Sequence, residues 1–518
     1  ELTPFNSTKR DIGREAHDHC FWKEATPYKK SCHKCGFLLT PFSMEDVYQD
    51  HINGKWVLPL SRTTMDVINP ANEDHIGKII LANELDVNLA VEAAKSAFPS
   101  FSQTSKEERL ELLRALLEIS KKRLPELAKV ISLEMGAPMT MSLELQADAA
   151  VGHLEGYIDA LIDQKEHEKL SNGDMQVREP VGICGLITPW NWPVNQIALK
   201  ALPALAAGCT CVLKPSEFTP LSSVMYSEMI HDAGFPPGVF NMIQGDGPLA
   251  GATLSKHPDI AMMSFTGSTR AGSSVSKDAA DSIKRVALEL GGKSPNIVFA
   301  DCNLEERISG SIEECYINTG QSCDAPTRLL VERSCYQQVL EIAKRLGEAV
   351  KVDDPAIEGN HLGPLVSDIQ YGRVQAMIEK GIKEGATLLV GGLGRPEGFE
   401  KGYWVRPTIF ADAHNKMAIA QEEIFGPVLT IIPFDSEEEA IEIANDTPYG
   451  LAGYVQSGDI KKAERIAKKL RVGMVHINGG GFNYGSPFGG YKQSGNGREG
   501  GIIGIEDFQE VKTLHYPE

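Results

Sequence analysis

Residues 181–214 read VGICGLITPWNWPVNQIALKALPALAAGCTCVLK, and this stretch indicates the fold class. The apolar run from Ile183 to Thr188 predicts a strand, Pro193 to Ala207 predicts a helix, and Cys209 to Leu213 predicts a second strand. Strands joined through a helix are parallel neighbours in one sheet. The stretch therefore predicts a parallel sheet with helices packed on it.

The same alternation of short strand, turn and helix continues along the chain. The later predicted elements are a helix over Pro220 to Ala233 and strands over Val239 to Ile243, Ile260 to Phe265 and Arg285 to Leu288, then a second series that begins near Asn296 and includes Leu329 to Glu332, Ala386 to Val390 and Val428 to Pro433. We predict an α/β protein with two doubly wound, Rossmann-like domains. In such sheets the ligand crevices lie at the carboxyl ends of the strands.

Composition limits the class of partner. The chain has 518 residues, too many for one core, and its formal net charge of −19 argues against nucleic acid and anionic membranes. The most apolar stretch, Ala201 to Leu213, is too short for a membrane span and contains Pro203. The ten cysteines have no repeating spacing, which favours reduced thiols and a cytoplasmic location. The N-terminus has no apolar signal-peptide core.

Residues 1–43 differ from the rest, because they are rich in Lys, His, Phe and Cys and have weak helical periodicity. One interpretation is a small zinc site, whose ligands would be His17, His19, Cys20, Cys32 and Cys35. The residues between Cys20 and Cys32 lack a finger or ribbon pattern, so the alternative is an appended segment. Met44 opens a stretch that reads like a natural beginning. No metal is predicted for the rest of the chain.

The segment Thr319-Gly320-Gln321-Ser322-Cys323 places one cysteine in a short polar turn. A thiol attacks only as the thiolate, so a nucleophilic cysteine is expected in an electropositive, partly open setting. The glycine allows a close backbone approach, and the N–H groups of a turn can face a developing negative charge. Most free cysteines are small buried apolar residues, which is the alternative. Cys323 is therefore a candidate nucleophile that needs support from other residues.

Two polar side chains at predicted strand ends suit the same reaction. Asn191 lies between aromatic and proline residues, so its amide is held rigidly and can donate to an oxyanion. Glu289 follows an apolar strand and precedes a glycine pair. Partial burial would raise its pKa, which makes a carboxylate a useful base near neutrality. A turn asparagine and a capping glutamate are the alternative interpretations.

Two further segments suit a dinucleotide. Lys214 and Glu217 follow a strand and can hold the hydroxyls of a ribose, and a carboxylate there favours NAD over NADP. Phe265 to Gly272 leads from a strand into a helix start, where free N–H groups suit a phosphate. The fingerprint G-x-G-x-x-G is absent, and Gly245-Asp246-Gly247 is better interpreted as a turn. The alternatives are a loop ion pair and an ordinary helix cap.

Taken together, these motifs resemble the aldehyde dehydrogenase superfamily from about Met44 to the C-terminus. The ordered blocks are Pro189-Trp190-Asn191, Lys214-Pro215-Ser216-Glu217, Phe265-Thr266-Gly267-Ser268, Glu289-Leu290-Gly291-Gly292-Lys293, Gly320-Gln321-x-Cys323, Glu423-Ile424-Phe425-Gly426-Pro427 and Pro487-Phe488-Gly489-Gly490. The resemblance implies oxidation of an aldehyde to the acid with NAD. A cysteine thiohemiacetal would lose hydride to the nicotinamide, and the resulting thioester would be hydrolysed by water.

The resemblance implies a role for each matching residue. Cys323 would be the nucleophile, Asn191 the oxyanion donor and Glu289 the general base. Lys214 and Glu217 would hold the adenosine ribose, Ser268 would lie by the pyrophosphate, and Glu423 and Phe425 would place the nicotinamide ribose and ring. Lys200 and Glu499 match a pair proposed to pass protons. The other residues expected along the cofactor are Ile187, Thr188, Pro189, Trp190, Ser216, Gly247, Phe265, Gly267 and Leu290.

The resemblance also implies the domains and the assembly. Residues 44–164 and 182–291 would form the cofactor domain and 292–492 the catalytic domain. Residues 165–181 and 493–518 would form an oligomerisation flap, built from a hairpin near Lys165 to Val181 and a strand near Ile505 to Leu514. A homodimer or homotetramer is expected.

Two other functions stay open at this stage. One is a coenzyme A-acylating relative, although such relatives generally lack the base glutamate. The other is a binding protein that kept the fold without catalysis. Trp192, Ser322 and Asp324 are candidates to line the aldehyde tunnel, but they do not indicate which aldehyde is the substrate.

Overall fold

Two largely parallel sheets position the residues discussed above, and the computed structural model describes residues 49–517. The strands β1 to β19 are, in chain order, Asp50–Ile52, Lys55–Val57, Thr64–Ile68, His75–Ile80, His167–Lys169, Met175–Pro180, Ile183–Ile187, Thr210–Lys214, Phe240–Met242, Met262–Thr266, Arg285–Glu289, Pro295–Val298, Arg328–Glu332, Thr387–Val390, Thr408–Ala411, Val428–Phe434, Ala452–Gln456, Met474–Ile477 and Gln509–Leu514. The five residues considered as zinc ligands lie outside the described residues, so the structure does not test that interpretation, and no metal site is predicted.

The helices connect these strands and cover the sheets. Helices α1 to α15 are Glu84–Phe101, Lys106–Met135, Met139–Met141, Asp148–Asp163, Pro193–Ala207, Pro220–Asp232, Ala252–Lys256, Thr269–Ala279, Leu304–Tyr316, Tyr336–Ala349, Asp368–Lys383, Ala418–Gln421, Glu437–Asn445, Ile460–Ala467 and Gly501–Glu506. Shorter or irregular helical turns cover Ser142–Ala147, Gly247–Gly251, Ala280–Ser282, Ile317–Gly320, Arg333–Cys335 and Lys492–Ser494.

The first sheet has the strand order β11-β10-β7-β8-β9-β1-β2. Strands β7 to β11 are parallel, and the β1–β2 hairpin extends the sheet antiparallel to β9. Ile187 lies opposite Lys214, and Thr266 lies opposite Glu289. The register therefore brings the carboxyl ends of four strands to one edge. Strand β7 has β8 on one side and β10 on the other, so the connections after β7 and β10 run in opposite directions. A ligand crevice is expected at the carboxyl ends of strands where the order reverses in this way.

Helix α5 joins β7 to β8, as the sequence predicts. It begins with Pro193 at its first position, where the missing N–H costs no hydrogen bond, and it ends at Gly208 with φ 88°. Nearly all of its side chains are buried, including the charged Lys200. A helix that is apolar on all sides is expected to be enclosed by other elements.

The second sheet has the order β14-β15-β16-β13-β12-β17-β18, with all pairs parallel except β14 with β15. Apolar clusters cover both of its faces. The helix α9 leads from β12 into the turn before Cys323, and β13 follows that turn. The cysteine therefore lies on a connection within the second sheet, while Asn191 lies at the end of a strand in the first.

A third sheet, of order β19-β6-β5, is antiparallel. It consists of the hairpin and the C-terminal strand at which the flap is predicted. Most residues of β5 and β19 are exposed, and Val511 and Leu514 are among the exposed apolar side chains. A small exposed sheet with apolar side chains has an unpaired edge available for contact with another chain.

Candidate active site

The turn before Cys323 has an unusual backbone. Asn318, Thr319 and Gly320 have φ values of 54°, 56° and 72°, so three successive residues are left-handed. A Cβ on Gly320 would lie 2.2 Å from the carbonyl oxygen of Gly426, which only glycine avoids. Left-handed non-glycine residues are strained, and such strain occurs mainly at functional sites. The sequence indicates the turn and its glycine, but it does not indicate this conformation.

Asn191 connects the two sheets at this turn. Its side-chain Nδ2 donates to the carbonyl oxygen of Gln321 at 3.0 Å. Its own carbonyl oxygen accepts from Nε2 of Gln146 at 3.0 Å and from Nδ2 of Asn318 at 2.7 Å. The side chain and the backbone of the buried Asn191 are therefore both held by hydrogen bonds. Its amide contacts Gln321, which lies two residues before Cys323, in the rigid setting predicted for Asn191.

A cleft of about 470 Å3 leads to the sulfur. Its walls are formed by Pro189, Trp190, Asn191, Thr266, Gly267, Ser268, Leu290, Gly291, Cys323, Gln370, Arg373, Ala376, Met377, Glu422, Glu423, Ile424 and Phe425. The volume is within the range of small-molecule and cofactor sites. Residues from both sheets thus border one space, with Cys323 and Asn191 together in its wall.

The electrostatic setting of Cys323 differs from the expectation. Burial raises the pKa of the Cys323 thiol well above its usual range, and the carboxylates of Asp324, Glu423 and Glu289 raise that pKa further. The expected electropositive setting is wrong for the protein alone, because the nearest charged groups are acidic. A backbone hydrogen bond at Cys323 opposes this rise, and a positively charged ligand bound in the cleft would oppose it further.

Glu289 ends β11 and is buried, and neither of its carboxylate oxygens has a hydrogen-bond partner among residues 49–517. Burial raises the pKa of Glu289 well above its usual range, and the nearby Glu499 adds to the rise. Glu289 does not line the cleft, although the next residue, Leu290, does. Buried polar groups without a protein partner usually bind an ordered water molecule.

Lys200 and Glu499 form a buried ion pair beside Glu289. The Nζ of Lys200 lies 2.5 Å from Oε1 of Glu499, and Oε2 of Glu499 has no partner in the protein. The Lys200 charge opposes the rise in the pKa of Glu289. The structure thus brings together the two residues that the sequence suggests for proton transfer, next to the candidate base.

Lys214 and Glu217 lie at the end of β8. The Nζ of Lys214 donates to the carbonyl oxygens of Pro215 and Gly245, each at 2.8 Å, and lies 3.5 Å from Oε2 of Glu217. The lysine is buried, while about a quarter of the Glu217 side chain, 23%, is exposed. A fixed cation beside an accessible carboxylate at a strand end suits the hydroxyls of a ribose.

The N-terminus of α8 forms another part of the same edge. Ser268 caps this helix, since its Oγ accepts from the N–H of Ala271 at 3.3 Å. Gly267 and Ser268 both line the cleft. The free N–H groups and the dipole of a helix start favour an anionic group such as a phosphate. Together with the Lys214–Glu217 pair, this arrangement fits a dinucleotide lying across the strand ends.

Glu423 and Phe425 approach the cleft from the second sheet. Oε1 of Glu423 accepts from the N–H of Gly292 at 2.9 Å, and burial raises the pKa of Glu423 to about 7. A Cβ on Gly291 would lie 2.2 Å from Oε2 of Glu423, so the glycine pair permits this approach. Phe425 meets Trp190 edge to face, with ring centroids 5.3 Å apart. The pair places aromatic surface near the sulfur.

Helix α11 contributes residues that the sequence does not indicate. Gln370, Arg373 and Met377 lie on one face of this helix and line the cleft. Gln370 Nε2 also donates to the carbonyl oxygen of Phe425 at 2.8 Å. The spacing i, i+3 and i+7 is the only signal in the sequence, and it is typical of any packed helix.

Some of the predicted cofactor residues lie outside this cleft. Ile187, Thr188, Lys214, Ser216, Glu217, Gly247 and Phe265 are on or after the strands of the first sheet but do not line the cavity beside Cys323. The backbone N–H of Thr188 donates to the carbonyl oxygen of Lys214 at 3.2 Å, which joins these strand ends. Gly247 begins a helical turn that Asp246 caps, in agreement with the predicted turn.

Comparison with known proteins tests the family. Among residues 49–517, every helix is too short or too polar to cross a membrane. A 3-succinoylsemialdehyde-pyridine dehydrogenase from a Pseudomonas species is 51% identical over 472 residues, which are 91% of this chain and 99% of that protein.

Solved structures give the same result. An aldehyde dehydrogenase from Bartonella henselae has a TM-score of 0.89 and 47% identity, over 90% of this chain and 99% of that one. A mutant of aldehyde dehydrogenase C from Pseudomonas syringae, in complex with NAD+ and octanal, has a TM-score of 0.89 and 44% identity, over 92% of this chain and 97% of that one. The model of the aldehyde dehydrogenase family matches residues 56–514. With the two sheets, the cleft and the cysteine turn all in agreement, the chain belongs to the aldehyde dehydrogenase family.

Proposed function

We propose that this protein oxidises an aldehyde to the carboxylic acid with NAD+, using Cys323 as the nucleophile. The observation that carries the proposal is the common cleft of Cys323 and Asn191, at the edge where the first sheet has features suited to a dinucleotide. The relative in complex with NAD+ and octanal supports both the cofactor and the substrate class.

The cofactor would occupy the cleft and the adjoining strand ends. Lys214 and Glu217 would hold the adenosine ribose, Ser268 and the start of α8 the pyrophosphate, and Glu423 the nicotinamide ribose. When bound, NAD+ supplies a positively charged nicotinamide near the sulfur and the acceptor for the hydride. The exposed carboxylate of Glu217 would repel a 2′-phosphate, so NAD+ is favoured over NADP+.

Cys323 and Asn191 would act together in the first step. The thiolate adds to the aldehyde carbon, and the carbonyl oxygen becomes an oxyanion. The Asn191 amide has two N–H groups, and the Gln321 carbonyl accepts only one of them. The second N–H and the backbone N–H of Cys323 would stabilise the oxyanion. Loss of hydride from the carbon then leaves a thioester on Cys323.

Glu289 would act in the second step. Its buried, unpartnered carboxylate has a raised pKa, and as the carboxylate it would take a proton from a water that attacks the thioester. The Lys200–Glu499 pair lies beside it and would accept this proton on its way to solvent. The products are the free acid and the Cys323 thiolate, which can start the next cycle.

The domains and assembly follow the predicted division. Each of the two large sheets is formed within one of the two predicted domain ranges, which supports a cofactor domain and a catalytic domain. The exposed β5–β6–β19 sheet supports a homodimer or homotetramer assembled through the flap. A cytoplasmic location is proposed from the composition and the unpaired cysteines.

The test is NADH formation with a panel of aldehydes. Wild-type protein should reduce NAD+ and release the free acid, and Cys323→Ala should do neither while it still binds NAD+. Cys302→Ala is the matched control, because Cys302 is also a partly exposed free cysteine but lies away from the cleft. Retained turnover in Cys323→Ala would contradict the proposal. Release of a coenzyme A thioester, seen only when coenzyme A is added, would favour the acylating alternative.

A further inference from the structure

The aldehyde chain must extend away from the cofactor cleft, and this direction is set by the residues beside Cys323. Cys323 lines the cleft, but its neighbours Ser322 and Asp324 do not, and neither does Trp192. With the cofactor in the cleft, as proposed above, an aldehyde can reach the sulfur only from the other side. The part of the substrate beyond the carbonyl carbon would then pass the neighbours of Cys323, which include the hydrogen-bonded Trp192, Ser322 and Asp324.

A chain of hydrogen bonds fixes a carboxylate at this position. Trp192 Nε1–H donates to Ser322 Oγ at 3.1 Å, and the Ser322 hydroxyl donates to Asp324 Oδ1 at 2.8 Å. The Tyr454 hydroxyl donates to the backbone carbonyl oxygen of Asp324 at 3.2 Å. Asp324 is only half-buried, so its charge acts on the approach to Cys323 with less screening than a surface charge has.

Two titratable side chains lie near Asp324: His476, which lowers the pKa of the neighbouring Glu314, and Glu314 itself. His476 stacks on Tyr454 with ring centroids 4.6 Å apart, and its Nδ1 lies 2.7 Å from the carbonyl oxygen of Gly480. Glu314 is another acid, and the Asp324 charge helps to raise its pKa.

The guanidinium of Arg307, on helix α9, already has partners. Arg307 binds the carbonyl oxygen of Asn478 at 2.7 Å and the carboxylate of Glu306 at 3.0 Å. A second anion would have to displace these contacts.

The segment after His476 carries a cluster of aromatic rings. Phe482 meets Tyr484 and Phe488 edge to face, with centroids 5.6 and 6.3 Å apart, and both Phe482 and Tyr484 are partly exposed. His153 packs against Tyr484 at 4.9 Å, and burial lowers the pKa of His153 to about 4, so this ring is neutral near pH 7. The loop continues to Gly489, where an added Cβ would lie 2.7 Å from Oε1 of Glu289. The rings of Phe482 and Tyr484 therefore lie on the same loop as Gly489, which packs closely on Glu289, the candidate base.

We propose that Asp324 is a specificity-determining residue that excludes aldehydes with a carboxylate on their chain, so that the substrate is an uncharged aldehyde. This inference rests on the proposed function. Two like charges held within a few ångströms of each other in a partly desolvated site repel strongly. A neutral chain, with or without a ring, carries no charge for Asp324 to repel.

The experiment compares two aldehydes of equal chain length, butanal and 4-oxobutanoate, by kcat/KM with NAD+. Wild-type protein should strongly prefer butanal, and added salt should weaken that preference. In Asp324→Asn the ratio of 4-oxobutanoate to butanal should rise on the order of 10-fold. Asp324→Glu keeps the charge and should keep the wild-type ratio. Glu305→Gln, on the exposed surface of α9, controls for net charge and should not change the ratio.

Each result has a definite meaning. Equal use of both aldehydes by the wild type would overturn the inference, and so would an Asp324→Asn ratio equal to that of the wild type. The wild-type preference and its salt dependence test the inference even if Asp324→Asn does not fold. A ratio of two substrates also cancels any change in the pKa of Cys323 that affects both. If no aldehyde yields NADH, the proposed function itself is refuted, and the specificity inference with it.

Discussion

The side-chain Nδ2 of Asn191 donates to the carbonyl oxygen of Gln321, 3.0 Å away and 130 residues later in the chain. Asn191 stands at the end of a strand in the first sheet, and Gln321 precedes the candidate nucleophile in the second. One amide thus fixes the position of the cysteine turn and can also face the oxyanion. The two roles can be separated by mutation.

Asn191→Ala should lower kcat on the order of 10²- to 10³-fold, as removal of an oxyanion donor does. Asn318→Gly is the matched control. It removes the contacts of Asn318 with Asn191 and Gln321 but keeps a left-handed residue and the Asn191 amide. Steady-state kinetics measures kcat of both variants, and thermal unfolding shows whether either variant is destabilised. If both lose kcat equally, Asn191 acts only through the position of the turn.

Gly320→Ala should destabilise the protein and lower its activity. Alanine at φ 72° costs about 1–2 kcal/mol, and its Cβ would also lie 2.2 Å from the Gly426 carbonyl oxygen. Gly310→Ala is the control, because Gly310 lies inside α9 with open space around it and should gain about 0.5–1 kcal/mol. Denaturant unfolding measures both. Equal stability of Gly320→Ala and wild type would show that the turn adopts another conformation.

The sequence indicates the elements of the fold closely, because its strands are short apolar runs between turn residues. The helix over Pro193–Ala207 is predicted to the residue, and Asn83 and Ser105 cap α1 and α2 in the structure. The predicted strands of the first sheet differ from the observed ones by one or two residues. Local signals such as proline, capping pairs and apolar runs are sufficient for these elements.

The site was less predictable where it depends on contacts between distant segments. Gln370 and Arg373 of α11 resemble any helix surface in the sequence, and they become cleft residues only when the second sheet approaches the first. The acidic surroundings of Cys323 arise in the same way, since Glu289 and Glu423 are far from it in the chain. The sequence indicates which chemical groups are present, whereas tertiary packing determines which charges surround the Cys323 sulfur.

Glu217→Gln should weaken the preference for NAD+ over NADP+. The carboxylate is partly exposed beside Lys214, where it would repel a 2′-phosphate, and the amide removes that charge while it keeps the shape. The measurement is kcat/KM for each cofactor at a fixed aldehyde concentration, with Glu422→Gln, an exposed cleft acid, as the control for net charge. A preference for NADP+ in the wild type would contradict the role of Glu217.

Glu289→Gln should form NADH in a burst of about one equivalent per Cys323 and then turn over slowly, because the thioester forms but no base activates water. In the wild type, burial and Glu499 raise the pKa of Glu289, so the active carboxylate is lost as the pH falls through that raised pKa. Deacylation should therefore slow at lower pH in the wild type, and this pH dependence should disappear in Glu289→Gln. Stopped-flow absorbance of NADH at several pH values measures both effects. A full steady rate in Glu289→Gln would mean that another group serves as the base, and Glu499, whose Oε2 has no hydrogen-bond partner among the described residues, is the next candidate.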